Sequence, residues 1–276
     1  MEYRPVDVAA RGFAVVNAVI WTVLAFGWNF RADWAVRLLP WSEVPMTFVF
    51  LASIGASIAV VWLAVAWAGE WAALSGVGLN IVVAAAGSAL HLFSLGLPWL
   101  AAGAAFAAGF GLVLYAWARR QPVKDPRAMP RLVRGAFVVF TVVLIVAGGA
   151  LVARQQVFPW RLQPTTLVLV GAIFLGAAAY FAHGAANSRW AHAAPPLWGF
   201  LFYDLVLFVP YLRLLGADTG SVDDYYGDGG GAVNQTSLVI YLAVLSVSAA
   251  LAVYALFVNP ATRVLKGVAP AGQSPT

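Results

Sequence analysis

Eight stretches of this chain, near residues 13–28, 46–68, 74–96, 98–118, 134–153, 165–186, 197–215 and 235–258, are apolar with few charges. Each is close to the roughly 20 residues that an α-helix needs to cross the hydrocarbon of a bilayer. Lipid offers the backbone no water to bond with, so a segment that crosses it must satisfy its own N–H and C=O groups, as a helix does. The expectation is therefore an all-α, polytopic bundle of eight transmembrane helices. Composition agrees. The chain is 62% hydrophobic and only 10% charged, against about 25% charged in soluble domains. The lipid bilayer is its expected surroundings. Met1 to Arg11 holds Glu2, Arg4, Asp7 and Arg11 with no small-residue cleavage site, so the first stretch reads as a retained helix. With no cysteine in the chain, disulfides, iron–sulfur clusters, thiolate zinc and cysteine nucleophiles are excluded.

A second feature orders these helices. Pro40-Trp41, Pro45, Thr47 and Trp71-Ala72 recur, after adding 119 to each number, as Pro159-Trp160, Pro164, Thr166 and Trp190-Ala191. Matches among Ala, Val and Leu would mean little here, but Pro and Trp are scarce. Arg11-Gly12 and Arg134-Gly135 fit the same scheme with a four-residue shift. The pattern reads as an internal duplication. Four spans per half is an even number, so both halves enter the membrane in the same sense, as parallel repeats related by a pseudo-twofold along the membrane normal. The expected divisions are 1–118 for the first repeat, 119–133 for a basic linker with Pro122, Pro126 and Pro130, 134–258 for the second repeat, and 259–276 for a tail.

Charge fixes the expected orientation. On this count one face holds Arg4, Arg11, Arg119, Arg120, Lys124, Arg127, Arg131, Arg134, Arg189, Arg263 and Lys266. The other holds Arg31, Arg37, Arg154, Arg161 and Arg213. A basic excess marks cytoplasmic loops, which places both termini and the linker in the cytoplasm of a multi-pass cell-membrane protein. The net charge of +5 is thus a topology signal, and nucleic acid is not an expected partner. Trp28, Trp34, Trp41, Phe158 and Trp160 read as interface anchors. The segment 216–236, with Asp218, Asp223, Asp224, Asp228 and three glycines, reads as a solvated loop.

Polar residues at hydrocarbon depth are the informative ones. Asp204 is the acidic residue well inside a span, placed about seven residues, or roughly 10 Å, from the inner end of the seventh. Asn17, Asn80, Tyr180 and His183 fall in the same inner half. Tyr180 and His183, three apart, share a helix face. These five are the candidate ligand-binding or proton-coupling residues, with Asp204 expected to reach one of the other four. His192 is placed in a loop, and Tyr211 toward the outer surface. No catalytic set, metal set or cofactor is expected: His91 and His183 lie at opposite depths, which rules out a shared haem, and no lysine lies in a span to carry a Schiff base.

Three functional classes stay open. One is transport or binding of a small molecule, or proton-coupled transport, through an inner-half cavity at Asp204. Another is a structural or accessory membrane subunit in which the same residues lock helices together. The third is a lipid-modifying membrane enzyme, the least supported because acid–base chemistry needs several convergent titratable groups.

Overall fold

The computed structural model describes residues 5–216 and 233–264; most of the acidic 216–236 segment lies outside them. Among these residues the fold is all-helical. The long helices are α1 (Pro5–Asn29), α3 (Pro45–Ala68), α4 (Leu74–Ser94), α5 (Pro98–Ala118), α6 (Arg131–Val152), α7 (Pro164–Asn187), α8 (Trp190–Leu214) and α9 (Gln235–Val253). A single turn, α2 (Asp33–Val36), sits between α1 and α3, a 3₁₀ turn (Trp71–Ala73) precedes α4, and a π turn (Tyr254–Val258) extends α9. Among the described residues, eight helices are long and apolar enough to cross a membrane, consistent with an integral membrane protein.

Proline sets three of the starts. Pro45, Pro98 and Pro164 occupy the first turn of their helices, where the missing N–H has no intrahelical acceptor to lose. Two helices close on a left-handed residue, Gly69 (φ 63°) after α3 and Ser188 (φ 51°) after α7. The cap N–H returns to Val65 and Gly184 respectively, satisfying an otherwise orphaned carbonyl. Among the described residues, Arg31 and Arg154 are the other non-glycine residues with positive φ, each two residues beyond a helix end.

One expected boundary moves. The seventh span begins at Trp190 rather than near 197, with Pro195 and Pro196 inside it. That proline pair lies so near the helix start that only the Ala191 and His192 carbonyls lose their donor. Asp204 is therefore about 21 Å along the axis from Trp190 and about 15 Å from Leu214, near the middle of the span.

Antiparallel neighbours pack as α1 with α3, α4 with α5, α6 with α7 and α8 with α9, while α4 also packs on α7 and α3 on α8. Helices α3 and α7 are the most enclosed, α1 and α5 the least. Glycine permits the closest approaches. A Cβ at Gly78 would lie 2.7 Å from the Gly111 carbonyl oxygen, and one at Gly171 would lie 2.8 Å from that of Gly148, so these backbones touch as small-residue interfaces allow.

The two ends differ. At the linker end, the Glu70 carboxylate accepts from the backbone N–H groups of Lys124 and Asp125. Met129 N–H donates to the Ser188 carbonyl, and Trp190 N–H to that of Arg127. The linker thus grips the turns after α3 and after α7. The opposite end, here the loop end, carries residues 30–44 and 153–163. There the Trp41 indole donates to Thr166 at 2.9 Å and the Trp160 indole to Thr47 at 3.3 Å. Both threonine hydroxyls then donate to Glu43. Phe158 and Trp160 are buried, so they are core residues rather than interface anchors; Trp34 is exposed.

Candidate functional site

Two polar sites replace the single cluster expected. The first lies at mid-depth between α8 and α9, which cross the bundle antiparallel. Asp204 is buried, and its Oδ2 accepts from the Ser248 hydroxyl at 2.7 Å. Its Oδ1 has no hydrogen-bond partner. None of Asn17, Asn80, Tyr180 and His183 bonds to it: the expected reach is corrected to Ser248. The reason is the earlier start of α8, which raises Asp204 out of the linker half.

Helical spacing builds this site as rungs. Asp204, Leu207 and Tyr211 recur on one face of α8 at three- and four-residue steps, and Tyr241, Leu245 and Ser248 do so on α9. Asp204 meets Ser248. Leu207 and Leu245 are buried in one cluster at the next step. Beyond them the Tyr211 and Tyr241 rings meet edge-on with centroids 5.3 Å apart. Tyr203, one residue before the acid, joins its hydroxyl to that of Tyr241. Trp160 packs on Tyr211 at 5.6 Å and ties this group to the loop end. Tyr211 is fully buried with its hydroxyl unpartnered. Sequence reasoning also passed over Ser248 and Tyr241. The signal was their seven-residue spacing on α9, which matches that of Asp204 and Tyr211.

The second site is at the linker end, and it does join two of the candidates. Tyr180 and His183 both lie against Gly76 of α4, where a Cβ would stand 2.5 Å from the tyrosine ring and 3.3 Å from the imidazole. His183 Nε2 is 2.8 Å from the Ser75 hydroxyl oxygen. That hydroxyl is also 2.7 Å from the Ala72 carbonyl oxygen, and the Asn187 side-chain amide approaches the same His183 Nε2 at 3.2 Å, so this ring nitrogen meets two groups that can donate to it. His192, placed in a loop by sequence, is instead buried in α8 with its ring edge-on to His183 at 5.4 Å. Tyr180 Oη and His192 Nδ1 have no partner.

Asn17 and Asn80 join neither site through a hydrogen bond. Asn17 donates to the Phe13 carbonyl of its own helix. The Asn80 side chain lies against Gly176 of α7, where a Cβ would be 2.5 Å from its Oδ1. A surface cavity of about 350 Å³ lies elsewhere, lined by Phe30, Arg31, Asp33, Val36 and Arg37.

Outside the spans, two carboxyls among the described residues are perturbed. Burial raises the Glu43 pKa from 4.5 despite the donors from Thr166 and Thr47, the larger effect being desolvation. Burial likewise raises Glu70, with the backbone donors of the linker opposing it. Among the described residues, no three His, Asp or Glu side chains group as a metal set would. Comparison with known protein families, with characterised proteins and with solved structures finds no match.

Proposed function

We propose that the chain is a multi-pass membrane protein of two parallel four-helix repeats, and that Asp204 is its working group. On this reading Asp204 gains and loses a proton inside the bundle, coupled to transport or binding of a small molecule. The observation that carries the reading is the setting of the Ser248 hydroxyl. Its oxygen is 2.7 Å from Asp204 Oδ2 and 3.0 Å from the Val244 carbonyl oxygen. With Asp204 ionised, Ser248 donates to it. With Asp204 protonated, the acid donates to Ser248, whose own proton turns to Val244. One hydroxyl rotation thus serves both protonation states with every heavy atom in place. The unpartnered Oδ1 points the same way, since a buried acceptor without a donor is a feature that a static bundle does not need.

Several details support the repeat. Helix α3 and α7 are 119 residues apart at both ends, with left-handed caps at Gly69 and Ser188. Helix α1 and α6 end 123 apart, at Asn29 and Val152, each followed by a left-handed arginine. The difference of four equals the length of α2. Exchanging α1, α3, α4 and α5 with α6, α7, α8 and α9 leaves the pairs of packed helices unchanged. The Trp41–Thr166 and Trp160–Thr47 bonds exchange in the same way. The divisions 1–118, 119–133, 134–258 and 259–276 follow, with the basic linker end in the cytoplasm of the cell membrane and the loop end outside.

The test is infrared difference spectroscopy on the protein in lipid. A protonated-carboxyl C=O band should titrate with pH, shift in Asp204→Glu and vanish in Asp204→Asn while the helical signal is retained. A titration spectrum unchanged by both substitutions would refute the role. The second reading is a structural subunit, favoured by the separate pairing of His183 with Ser75. It expects Asp204→Asn to alter the melting temperature in detergent and no titrating band to depend on residue 204.

A further inference from the structure

The surface cavity at the loop end belongs to neither polar site. Its volume of about 350 Å³ falls within the roughly 300–1,000 Å³ of small-molecule sites, and its lining is Phe30, Arg31, Asp33, Val36 and Arg37. The chain folds back on the end of α1 to make it. The Ala32 N–H returns to the Gly27 carbonyl at 2.8 Å, and the Trp28 indole donates to the Ala35 carbonyl at 3.1 Å. Gly27 lets the Trp34 ring lie against α1, since a Cβ there would stand 2.5 Å from that ring. Ala35 is fully buried beneath. These contacts pin α2 and leave Arg31, Asp33 and Arg37 exposed around the cavity.

The charges of the lining select a ligand. Among the described residues, the side chains of Arg31, Asp33 and Arg37 make no hydrogen bond or ion pair. The first span ends at Asn29, which puts these groups just beyond the hydrocarbon, at headgroup depth. Two free guanidinium groups suit a phosphate ester, whose oxygens accept paired N–H donors. Asp33, between them in sequence, would repel a simple anion. It is matched when the ligand carries an N–H-bearing cation close to its phosphate, as the headgroup of an aminophospholipid does.

Apolar surface leads up to the same place. Val16, Val19, Val23, Phe26 and Phe30 are exposed at alternating three- and four-residue steps, so they form one stripe along α1. The Phe26 and Phe30 rings stack with centroids 6.0 Å apart, and Phe30 also lines the cavity. From Val19 to Phe30 the stripe runs about 16 Å, close to one leaflet, half of a hydrocarbon core about 30 Å thick. Helix α1 is among the least enclosed, which leaves the stripe open to acyl chains.

We propose that this cavity holds the headgroup of one aminophospholipid, with Arg31 and Arg37 on its phosphate, Asp33 on its ammonium and an acyl chain along the α1 stripe. The site rests on the membrane reading and is independent of Asp204. It belongs to the first half alone, because among the described residues no counterpart of α2 follows α6.

The experiment is native mass spectrometry of the full chain released from detergent micelles and titrated with phosphatidylethanolamine, phosphatidylglycerol or phosphatidylcholine. One phosphatidylethanolamine should bind about tenfold more tightly than either of the others, since glycerol offers Asp33 no cation and choline offers it no N–H. Arg31→Gln and Arg37→Gln should each weaken that binding about tenfold, the order of one charge-assisted hydrogen bond. Asp33→Asn should remove the preference over phosphatidylglycerol. Arg154→Gln, at an exposed position of the loop end in the other half, should bind as wild type does, and detergent melts confirm that each variant is folded. Unchanged phosphatidylethanolamine binding in both folded arginine variants would overturn the site. A preference that survives Asp33→Asn would overturn the amine assignment, and displacement of the lipid by inorganic phosphate would overturn the lipid as occupant.

Discussion

Thr166→Val tests whether the polar clasp at the loop end holds the two halves of the bundle. Thr166 belongs to α7, yet its hydroxyl oxygen accepts from Trp41 at 2.9 Å and its proton goes to Glu43, both from the segment before α3. Valine keeps the shape and removes both bonds. One neutral hydrogen bond contributes about 1 kcal/mol, and one to a charged group about 1.5–3 kcal/mol. Trp41 is only half-buried, so water recovers part of its loss, and the expected destabilisation is about 2–3 kcal/mol. Thr166→Ser keeps the hydroxyl and loses one methyl, about 0.8 kcal/mol. The assay is reversible unfolding in mixed detergent micelles, with Glu43→Gln as the second arm of a double-mutant cycle. In that background Thr166→Val should fall to about 1 kcal/mol, because the charged acceptor is gone. Equal costs for the serine and valine variants would refute the reasoning. So would a valine cost that does not change in the Glu43→Gln background. Thr47→Val is the counterpart: its bonds are longer, at 3.3 and 3.1 Å, but Thr47 and Trp160 are buried, so the stranded indole finds no water and the total should be similar.

Further outcomes follow from the same structure. The Glu43 pKa is raised above its ordinary 4.5 by burial, so the fold favours the protonated form more than the unfolded chain does. The stability of wild type relative to Glu43→Gln should therefore be highest below pH 4.5, fall as pH rises through the raised pKa and then level off; detergent melts across pH check this, and a difference that grows with pH would contradict it. Gly78→Ala and Gly171→Ala, whose added carbons would overlap the facing backbones, should each destabilise by about 1–3 kcal/mol, whereas Gly135→Ala, with open space around it, should be neutral or stabilise by up to about 1 kcal/mol. Reporter fusions after Gln121 and after Ser42 should give opposite signals, with the former cytoplasmic; the same side for both would refute the eight-span topology.

Much of the scaffold could be read from residues with few alternatives. The apolar stretches near 46–68, 98–118 and 165–186 lay within a residue of the starts of α3, α5 and α7, where proline occupies the first turn, and the recurrence of Pro, Trp and Thr at one offset is the sequence ground for the proposed correspondence of α3 with α7. Pro195 and Pro196 show the limit of that signal: proline ends a helix when it falls late and is tolerated near the start, and the expected start near 197 fell seven residues after the observed one at Trp190. That displaced Asp204 by two turns and assigned it the wrong neighbours. Ser248 was harder to see, since a serine in an apolar helix more often bonds to its own backbone, as Ser246 does to Leu242. Pairing Asp204 with it requires knowing that α8 faces α9 and in which register. Thr47 and Thr166 were legible as a repeated motif, but their bonds cross between the halves, which no local pattern contains.

The linker end and the loop end are held in different ways, and the difference has a mechanical consequence. Residues 124–129 bind the turns on both sides of them through main-chain N–H groups, one glutamate and two carbonyls, short attachments gathered around one spot. Such a fastening fixes position more firmly than angle, as a pivot does. The clasp lies a full helix away: α7 has 24 residues, about 36 Å of lever arm. A tilt of about 5° at the pivot carries the far end through about 3 Å, the length of a single hydrogen bond. Rocking too small to disturb the linker would thus be enough to part Trp41 from Thr166 and Trp160 from Thr47 together.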